Sequence, residues 1–211
     1  MAATTHGRYL VAPADGPAPL LVGFHGYAEA ADVQLERLRG LPGAERWTLV
    51  AVQALHRFYL GRRRNDVVAS WMTRQDRQLA IADNLAYVGA VLDAEWSTRR
   101  GTRGVVFAGF SQGVAMAFRA AAASRLPVLG VLAVGGDVPP ELDREALGRI
   151  GRVLLCRGVR DEWYSPEKLA ADRARLEAAG VAVKAAELDT GHEWDSALLP
   201  PAAAFLSGIL P

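Results

Sequence analysis

The sequence has little cysteine and no excess of charge of either sign. Cys156 is the only cysteine among 211 residues, which excludes a disulfide within the chain. It lies in an apolar, strand-like segment, so we expect a buried thiol. The 24 Lys and Arg residues and 23 Asp and Glu residues give a formal net charge of +1. Because there is no basic excess to neutralise phosphates, we expect no nucleic-acid partner.

Membrane-length apolar runs and targeting signals are also missing. No apolar run reaches the roughly 20 residues that span a bilayer, so we expect no integral membrane association. The segment Met1–Gly7 lacks the charged region and apolar core of a secretory signal, and a cytoplasmic location is the default expectation. The one dense basic run, Arg62–Arg64, is most simply a solvated loop, with an anionic substrate or partner as the alternative.

Cofactor and metal motifs are absent as well. The chain has no G-x-G-x-x-G fingerprint after its first predicted strand and no Walker A loop, which argues against a Rossmann-type nucleotide-binding protein. Its four histidines and its carboxylates show no metal-ligand spacing, which argues against a metal hydrolase. We therefore expect neither a cofactor nor a metal ion.

The sequence does contain a regular alternation of strand-like and helix-like segments. This alternation predicts a mainly parallel sheet of about seven strands with helices on both faces, and the length suits a single α/β domain over residues 1–211. Strands are predicted near residues 8–12, 20–25, 47–53, 103–109, 128–135, 152–158 and 181–188. Helices are predicted at about 30–40, 76–97, 112–125, 165–179 and 200–208, with a short one around 141–147. The Pro and Gly residues of segment 13–19 predict a hairpin or loop.

The most informative motif is Gly109-Phe110-Ser111-Gln112-Gly113, which follows an apolar strand and precedes a run of small helix formers. It reads G-x-S-x-G at a strand-to-helix junction, which is the context of a nucleophile elbow. In such an elbow the serine backbone is strained, and a side chain at either glycine would collide with a neighbouring element. A glycine-flanked serine can also be a simple turn. The strand and helix around Ser111 favour a nucleophile at the positive end of the helix dipole.

A nucleophilic serine needs a base and an acid, and in this architecture they follow it in the order Asp or Glu, then His. Of the four histidines, only His192 comes after Ser111. His192 follows a predicted strand, and Gly191 allows its loop to turn. We therefore predict that His192 is the base.

Two aspartates compete for the role of the acid. Asp161 and Asp137 each follow a predicted strand. Asp161 is favoured because acids in this order usually lie one strand before the strand of the histidine. Asp189 is too close in sequence to His192 for easy hydrogen-bond geometry.

Backbone amides, not side chains, are expected to form the oxyanion hole. The N–H of Gln112 follows the serine directly and is one predicted donor. The other is the N–H of Tyr27 in the loop His25-Gly26-Tyr27, which follows an early strand. A histidine before glycine in such a loop more often orders the backbone through hydrogen bonds than acts as a base, so we assign that role to His25.

These residues together resemble the small carboxylesterase/phospholipase branch of the α/β-hydrolases, to which acyl-protein thioesterases also belong. The resemblance is carried by His25-Gly26-Tyr27, by the G-F-S-Q-G motif, by Asp161 and by Gly191-His192, and it covers about residues 20–208. It implies an α/β-hydrolase fold. Tyr27 stands where the family often has Leu or Gly, so the resemblance does not fix the substrate.

The connections between predicted elements are short. From residue 136 to residue 152 there is room only for a loop and one short helix, so we expect no cap domain and an active site open to soluble esters. The segment 54–75 offers a loop or a short hairpin beside the pocket, and its residue Trp71 is similar to the tryptophan of the family's substrate loop.

We predict a serine hydrolase that cleaves small-molecule carboxylic esters through an acyl-enzyme, with thioesters and lysophospholipids as further substrate classes. Candidate pocket residues are Trp71, Met72, Trp163 and Trp194, although large apolar residues are more often core. The alternatives are a catalytically inactive binding module of the same fold, and a serine peptidase or acyltransferase that uses the same triad. The oligomeric state stays open between a monomer and a homodimer.

Overall fold

A computed structural model describes residues 4–61, 65–99 and 101–210. The strands in these residues are β1 (Arg8–Ala12), β2 (Leu20–Phe24), β3 (Thr48–Gln53), β4 (His56–Tyr59), β5 (Val67–Ser70), β6 (Val105–Phe110), β7 (Val128–Val134), β8 (Arg152–Gly158) and β9 (Ala182–Leu188). Seven of them form one sheet in the order β1-β3-β2-β6-β7-β8-β9, and β4 and β5 pair as an antiparallel hairpin. Within the large sheet only β1 pairs antiparallel with its neighbour, which confirms the predicted, mainly parallel sheet.

Helices cover both faces of the sheet, as predicted. They are α1 (Ala31–Arg39), α2 (Arg77–Thr98), α3 (Gln112–Ala123), α4 (Arg144–Gly148), α5 (Pro166–Ala178) and α6 (Leu199–Ser207). The first face is covered by α2, α3, α4 and α5, and the second by α1 and α6. Strand β6 serves both cores, because Val105 and Phe107 point to the first face while Val106 and Ala108 point to the second.

The chain between β7 and β8 contains only the five residues of α4 besides loop, and none of the residues that the structure describes forms a cap domain over the carboxyl end of the sheet. Segment 13–19 is a loop and not a hairpin, because β3 lies between β1 and β2 in the sheet. For segment 54–75 the sequence predicted either a loop or a short hairpin. The structure has the hairpin, in which β4 and β5 pair antiparallel. The basic run Arg62–Arg64 lies outside the described residues.

Cys156 is fully buried in β8, as expected. Burial raises the pKa of its thiol to about 12, so the thiol stays protonated and unreactive at neutral pH. Among the described helices, none combines the length and the apolar composition needed to cross a membrane.

Candidate active site

Ser111 lies in the tight turn between β6 and α3. Its φ of 52° and ψ of −119° are strained for a residue with a side chain. The flanking glycines make this turn possible, because a Cβ at Gly109 would lie 2.5 Å from the carbonyl oxygen of Gly113. A Cβ at Gly113 would lie 2.2 Å from the carbonyl oxygen of Phe24. Both contacts are far inside van der Waals distance, so this turn excludes side chains at residues 109 and 113.

The structure brings the side chains of Ser111, His192 and Asp161 together at the carboxyl end of the sheet. The distance from His192 Nε2 to Ser111 Oγ is 2.8 Å, and that from His192 Nδ1 to Asp161 Oδ2 is also 2.8 Å. Because the carboxylate can only accept, Nδ1 carries the proton and Nε2 is left to accept the serine O–H. The ring of Phe110, 5.3 Å from the imidazole, supports it from one side.

Asp161 is held in one orientation by its own loop. Its second oxygen, Oδ1, accepts the backbone amides of Trp163 (2.8 Å) and Tyr164 (3.0 Å). Burial alone would raise the pKa of this carboxyl, but the bonds from the Tyr164 amide, His192 and the Trp163 amide outweigh it and lower the pKa. Asp161 therefore stays ionised beside the imidazole.

The competing aspartates lie elsewhere. Asp137 is exposed, and its carboxylate is 3.4 Å from the ammonium of Lys168. Asp189 is also exposed and pairs with Arg160. Neither carboxylate contacts His192 in the described part of the chain, so Asp161 is the acid that the geometry favours.

The two predicted oxyanion donors lie on separate elements, Gln112 at the start of α3 and Tyr27 in the loop after β2, and these elements pack closely where Gly113 faces the carbonyl oxygens of Phe24 and His25. Gln112 is the first residue of α3, so its amide has no partner inside the helix. Tyr27 follows Gly26, whose amide donates to Glu29 Oε2 at 2.7 Å. Neither the Gln112 amide nor the Tyr27 amide donates a hydrogen bond to another group within residues 4–61, 65–99 and 101–210. Their roles as oxyanion donors stay predictions, which the absence of another partner supports; Gln112 also lines the cavity beside Ser111.

His25 orders the loop that carries Tyr27. It is fully buried; Nδ1–H donates to the carbonyl oxygen of Gly26 (2.7 Å), and Nε2 accepts the amide of Ala54 (3.1 Å). Burial lowers the pKa of the imidazole, which keeps it neutral. With both ring nitrogens occupied, His25 is not free to act as a base.

The predicted pocket residues fall into two groups. Trp163 is 74% exposed and lines a cavity of about 230 Å³ beside Ser111, together with Asp137 and Lys168. The other three do not line this cavity. Trp71 and Met72 are buried behind Gln112, and Trp194 is half-buried and packs against the core of the second face, 5.8 Å from the guanidinium of Arg37.

Sequence reasoning missed the side chains that hold these loops in place. Arg37 makes a bidentate ion pair with Glu29 (2.6 and 2.8 Å), and its guanidinium lies 4.5 Å from the centre of the Phe110 ring. Arg157 donates to the carbonyl oxygen of Tyr164 at 2.8 Å and so fixes the Asp161 loop. No local pattern marks these residues, because their partners lie on other elements.

Three solved structures with the same architecture have titles that name an esterase, a carboxylesterase or a thioesterase. Esterase PE8 is 22% identical with a TM-score of 0.74, over 98% of this chain and 100% of that one. A Bacillus cereus carboxylesterase is 14% identical with a TM-score of 0.75, over 97% and 95% of the two chains. Zea mays acyl-protein thioesterase 2 is 20% identical with a TM-score of 0.73, over 98% and 100%. At such identities the similarity shows the fold.

A family model supplies the further evidence. No curated protein matches the chain significantly. The model described as phospholipase/carboxylesterase matches residues 9–207, which is nearly the whole chain. Together with the α/β-hydrolase architecture, this match shows that the chain belongs to the phospholipase/carboxylesterase family of α/β-hydrolases.

Proposed function

We propose that this protein is a serine hydrolase that cleaves carboxylic esters through an acyl-enzyme. The observation that carries the proposal is the continuous chain of hydrogen bonds from Ser111 through His192 to Asp161, with 2.8 Å at each step. A nucleophile, a base and an orienting acid in this order are the machinery of acyl transfer. The strained elbow and the family to which the chain belongs support the same reaction.

In the proposed reaction each group has one role. Ser111 Oγ attacks the ester carbonyl while His192 Nε2 takes its proton, and Asp161 stabilises the imidazolium that forms. The amides of Tyr27 and Gln112 donate to the oxygen that becomes negative in the tetrahedral intermediate. His192 then gives the proton to the leaving alkoxide or thiolate. Water then attacks the acyl-enzyme while His192 takes its proton; the bond to Ser111 Oγ breaks, His192 returns the proton to this oxygen, and the carboxylic acid leaves.

The cavity beside Ser111 points to the size of the substrate. Its volume of about 230 Å³ suits a short or medium acyl chain, and Trp163 forms part of its wall. No cap built from the described residues covers this cavity, so soluble esters can enter without a large opening motion. We therefore propose small soluble esters as the first substrates to test, with thioesters and lysophospholipids of graded chain length beside them.

Replacement of the nucleophile tests the proposal. Ser111→Ala should lower ester turnover by roughly four to six orders of magnitude while the fold remains, because the covalent route is lost. A fluorophosphonate should add its mass to the wild type and not to this variant. Ser207→Ala, which changes an exposed serine at the end of α6, is the matched control and should keep full turnover and labelling. A folded Ser111→Ala protein that still turns over esters would remove Ser111 from the mechanism.

A further inference from the structure

The end of β5 and the two residues after it, together residues 69–72, contact the loop that carries Tyr27. The amide of Ala69 donates to the carbonyl oxygen of Glu29 at 2.8 Å, and the amide of Ala28 donates back to Ala69 at 3.1 Å. The indole N–H of Trp71 donates to the carbonyl oxygen of His25 at 2.8 Å. This segment therefore contacts residues 25–29, which we call the oxyanion loop, on both sides of Tyr27.

The same segment contacts the elbow through the side chain of Gln112. Its Oε1 accepts the Trp71 amide at 2.9 Å. Its Nε2 donates to the carbonyl oxygen of Met72 at 3.0 Å. Trp71 thus connects the two elements that carry the predicted oxyanion donors, with its backbone on Gln112 and its indole on the loop.

Trp71 is suited to this connection because it is fully buried and firmly packed. Its ring makes an edge contact with Phe24 at 5.4 Å and lies 5.1 Å from the imidazole of His25. Its carbonyl oxygen accepts the Nδ2 of Asn84, a buried residue of α2, at 3.0 Å. Each polar group of Trp71 has a partner, and none of them faces the cavity beside Ser111.

The oxyanion loop requires such support. Ala28, directly after Tyr27, has a φ of +58°, a left-handed conformation that is unfavourable for a residue with a Cβ. A backbone amide has no rotamers of its own, so its direction depends on the bonds that hold its neighbours. The hydrogen bonds from Ala69 and Trp71 hold Glu29 and His25, on the two sides of Tyr27, and so limit the direction of the Tyr27 amide.

We propose that Trp71, acting with the carboxamide of Gln112, is a positioning residue that sets the spacing and direction of the Tyr27 and Gln112 amides. This inference rests on the proposed function, because it assumes that these two amides receive the oxyanion. It differs from a substrate-binding role, since Trp71 touches the loop and the elbow and not the cavity.

The test compares two buried tryptophans. Trp71→Phe removes the indole N–H and keeps an aromatic ring. We expect kcat to fall about 10- to 100-fold with KM nearly unchanged, because misdirected donors affect the transition state more than the bound ester. A trifluoromethyl ketone, which forms a tetrahedral adduct with the serine, should bind more weakly by the same factor. Trp47→Phe makes the same change in the core of the opposite face and should leave kcat within about twofold.

A second variant covers the case in which Trp71→Phe does not fold. Gln112→Met keeps the backbone N–H and removes only the carboxamide bonds, and it should lower kcat by a similar factor. The double variant should be less impaired than the product of the two single effects, because both break one connection.

The outcomes separate the two proposals. If Ser111→Ala is inactive while Trp71→Phe and Gln112→Met match the wild type, the positioning role is wrong and the proposed function stands. A rise in KM at constant kcat would make Trp71 a substrate-binding residue and would also overturn the positioning role. Retained turnover in Ser111→Ala would remove the basis of both proposals.

Discussion

The two sides of the candidate site place their functional groups in different ways. On the acid–base side, Asp161 and His192 extend side chains from the loops after β8 and β9, and these side chains contact each other directly at 2.8 Å. On the oxyanion side, the functional groups are the backbone amides of Tyr27 and Gln112. Fully buried His25 holds the loop there through its own hydrogen bonds.

Because of this difference, the two sides differ in how far a substitution can change the turnover rate without changing the stability of the fold. A side chain such as that of Asp161 can be changed by one atom with little effect on the packing around it. A backbone amide can be moved only through the buried residues beside it, of which Trp71 and His25 are part of the core. We therefore expect changes on the acid–base side to affect the rate far more than stability, and changes to the residues that hold the Tyr27 loop to affect rate and stability together.

The largest effect within this comparison is expected from Asp161→Asn. The amide would favour the wrong imidazole tautomer, so turnover at neutral pH should fall by roughly four orders of magnitude. Asp137→Asn is the matched control after the neighbouring strand, and it should change turnover only a few-fold because its carboxylate pairs with exposed Lys168. The turnover of each purified variant on one ester would measure these losses. A larger loss in Asp137→Asn than in Asp161→Asn would make Asp137 the acid.

The acid–base side was the more predictable from the sequence, because its groups are side chains in a fixed chain order. Ser111 lies in a recognisable motif, and only His192 follows it. Asp161 and Asp137 are harder to separate, since both follow a strand. The difference between them arises from contacts, as Asp161 receives the amides of Trp163 and Tyr164.

The oxyanion side was less predictable because burial there depends on long-range pairing. A large apolar residue such as Trp71 suits a pocket wall or a core equally well in sequence. It becomes core because the short hairpin of β4 and β5 pairs with the oxyanion loop, through the bridge between Glu29 and Ala69. Strands β4 and β5 have little alternation of buried and exposed residues, so the sequence left a loop and a hairpin open and did not indicate that the hairpin contacts the loop of Tyr27. The main strands were predictable because buried parallel strands are nearly continuous apolar runs.

Acid should destabilise the oxyanion side through His25. Burial lowers the pKa of this imidazole, opposed by its bond to Gly26 and by the charges of Glu29 and Asp32, and assisted by Arg37. Because the pKa in the folded state lies below the unfolded value of about 6.5, the stabilisation from neutral His25 is complete above pH 6.5. It is lost as the pH falls from there through the folded-state pKa, since the unfolded chain binds the proton more readily.

Urea unfolding of the wild type and of His25→Gln at pH 7.5 and below measures this effect. Glutamine can accept the Ala54 amide but gains no proton, so the free energy of unfolding should fall less steeply with acid in the variant. Asp172 has a raised pKa and contributes a slope of the opposite sign, which cancels when the two proteins are compared. Equal dependence of the two free energies of unfolding on pH would mean that the pKa of His25 is the same in the folded and unfolded states.

The smallest effect concerns a buried glutamine behind the oxyanion side. Gln34 on α1 is fully buried, and neither of its side-chain polar atoms has a hydrogen-bond partner within the described residues. An unpartnered buried polar group costs about 1–3 kcal/mol, so Gln34→Met, of similar length, should raise the free energy of unfolding by about 1 kcal/mol. Gln53 is the matched control, since it is also buried but accepts the amide of Ala31 at 3.3 Å. Gln53→Met should therefore lower stability. Urea unfolding would measure both changes, and a less stable Gln34→Met would mean that a bound water satisfies this amide.

Turnover of Gln34→Met should equal that of the wild type, because Gln34 packs on Gly23 of β2 and not on the loop that follows. Unchanged turnover in Gln34→Met would show that a buried polar residue near the oxyanion loop affects the turnover rate only where it is hydrogen-bonded to that loop.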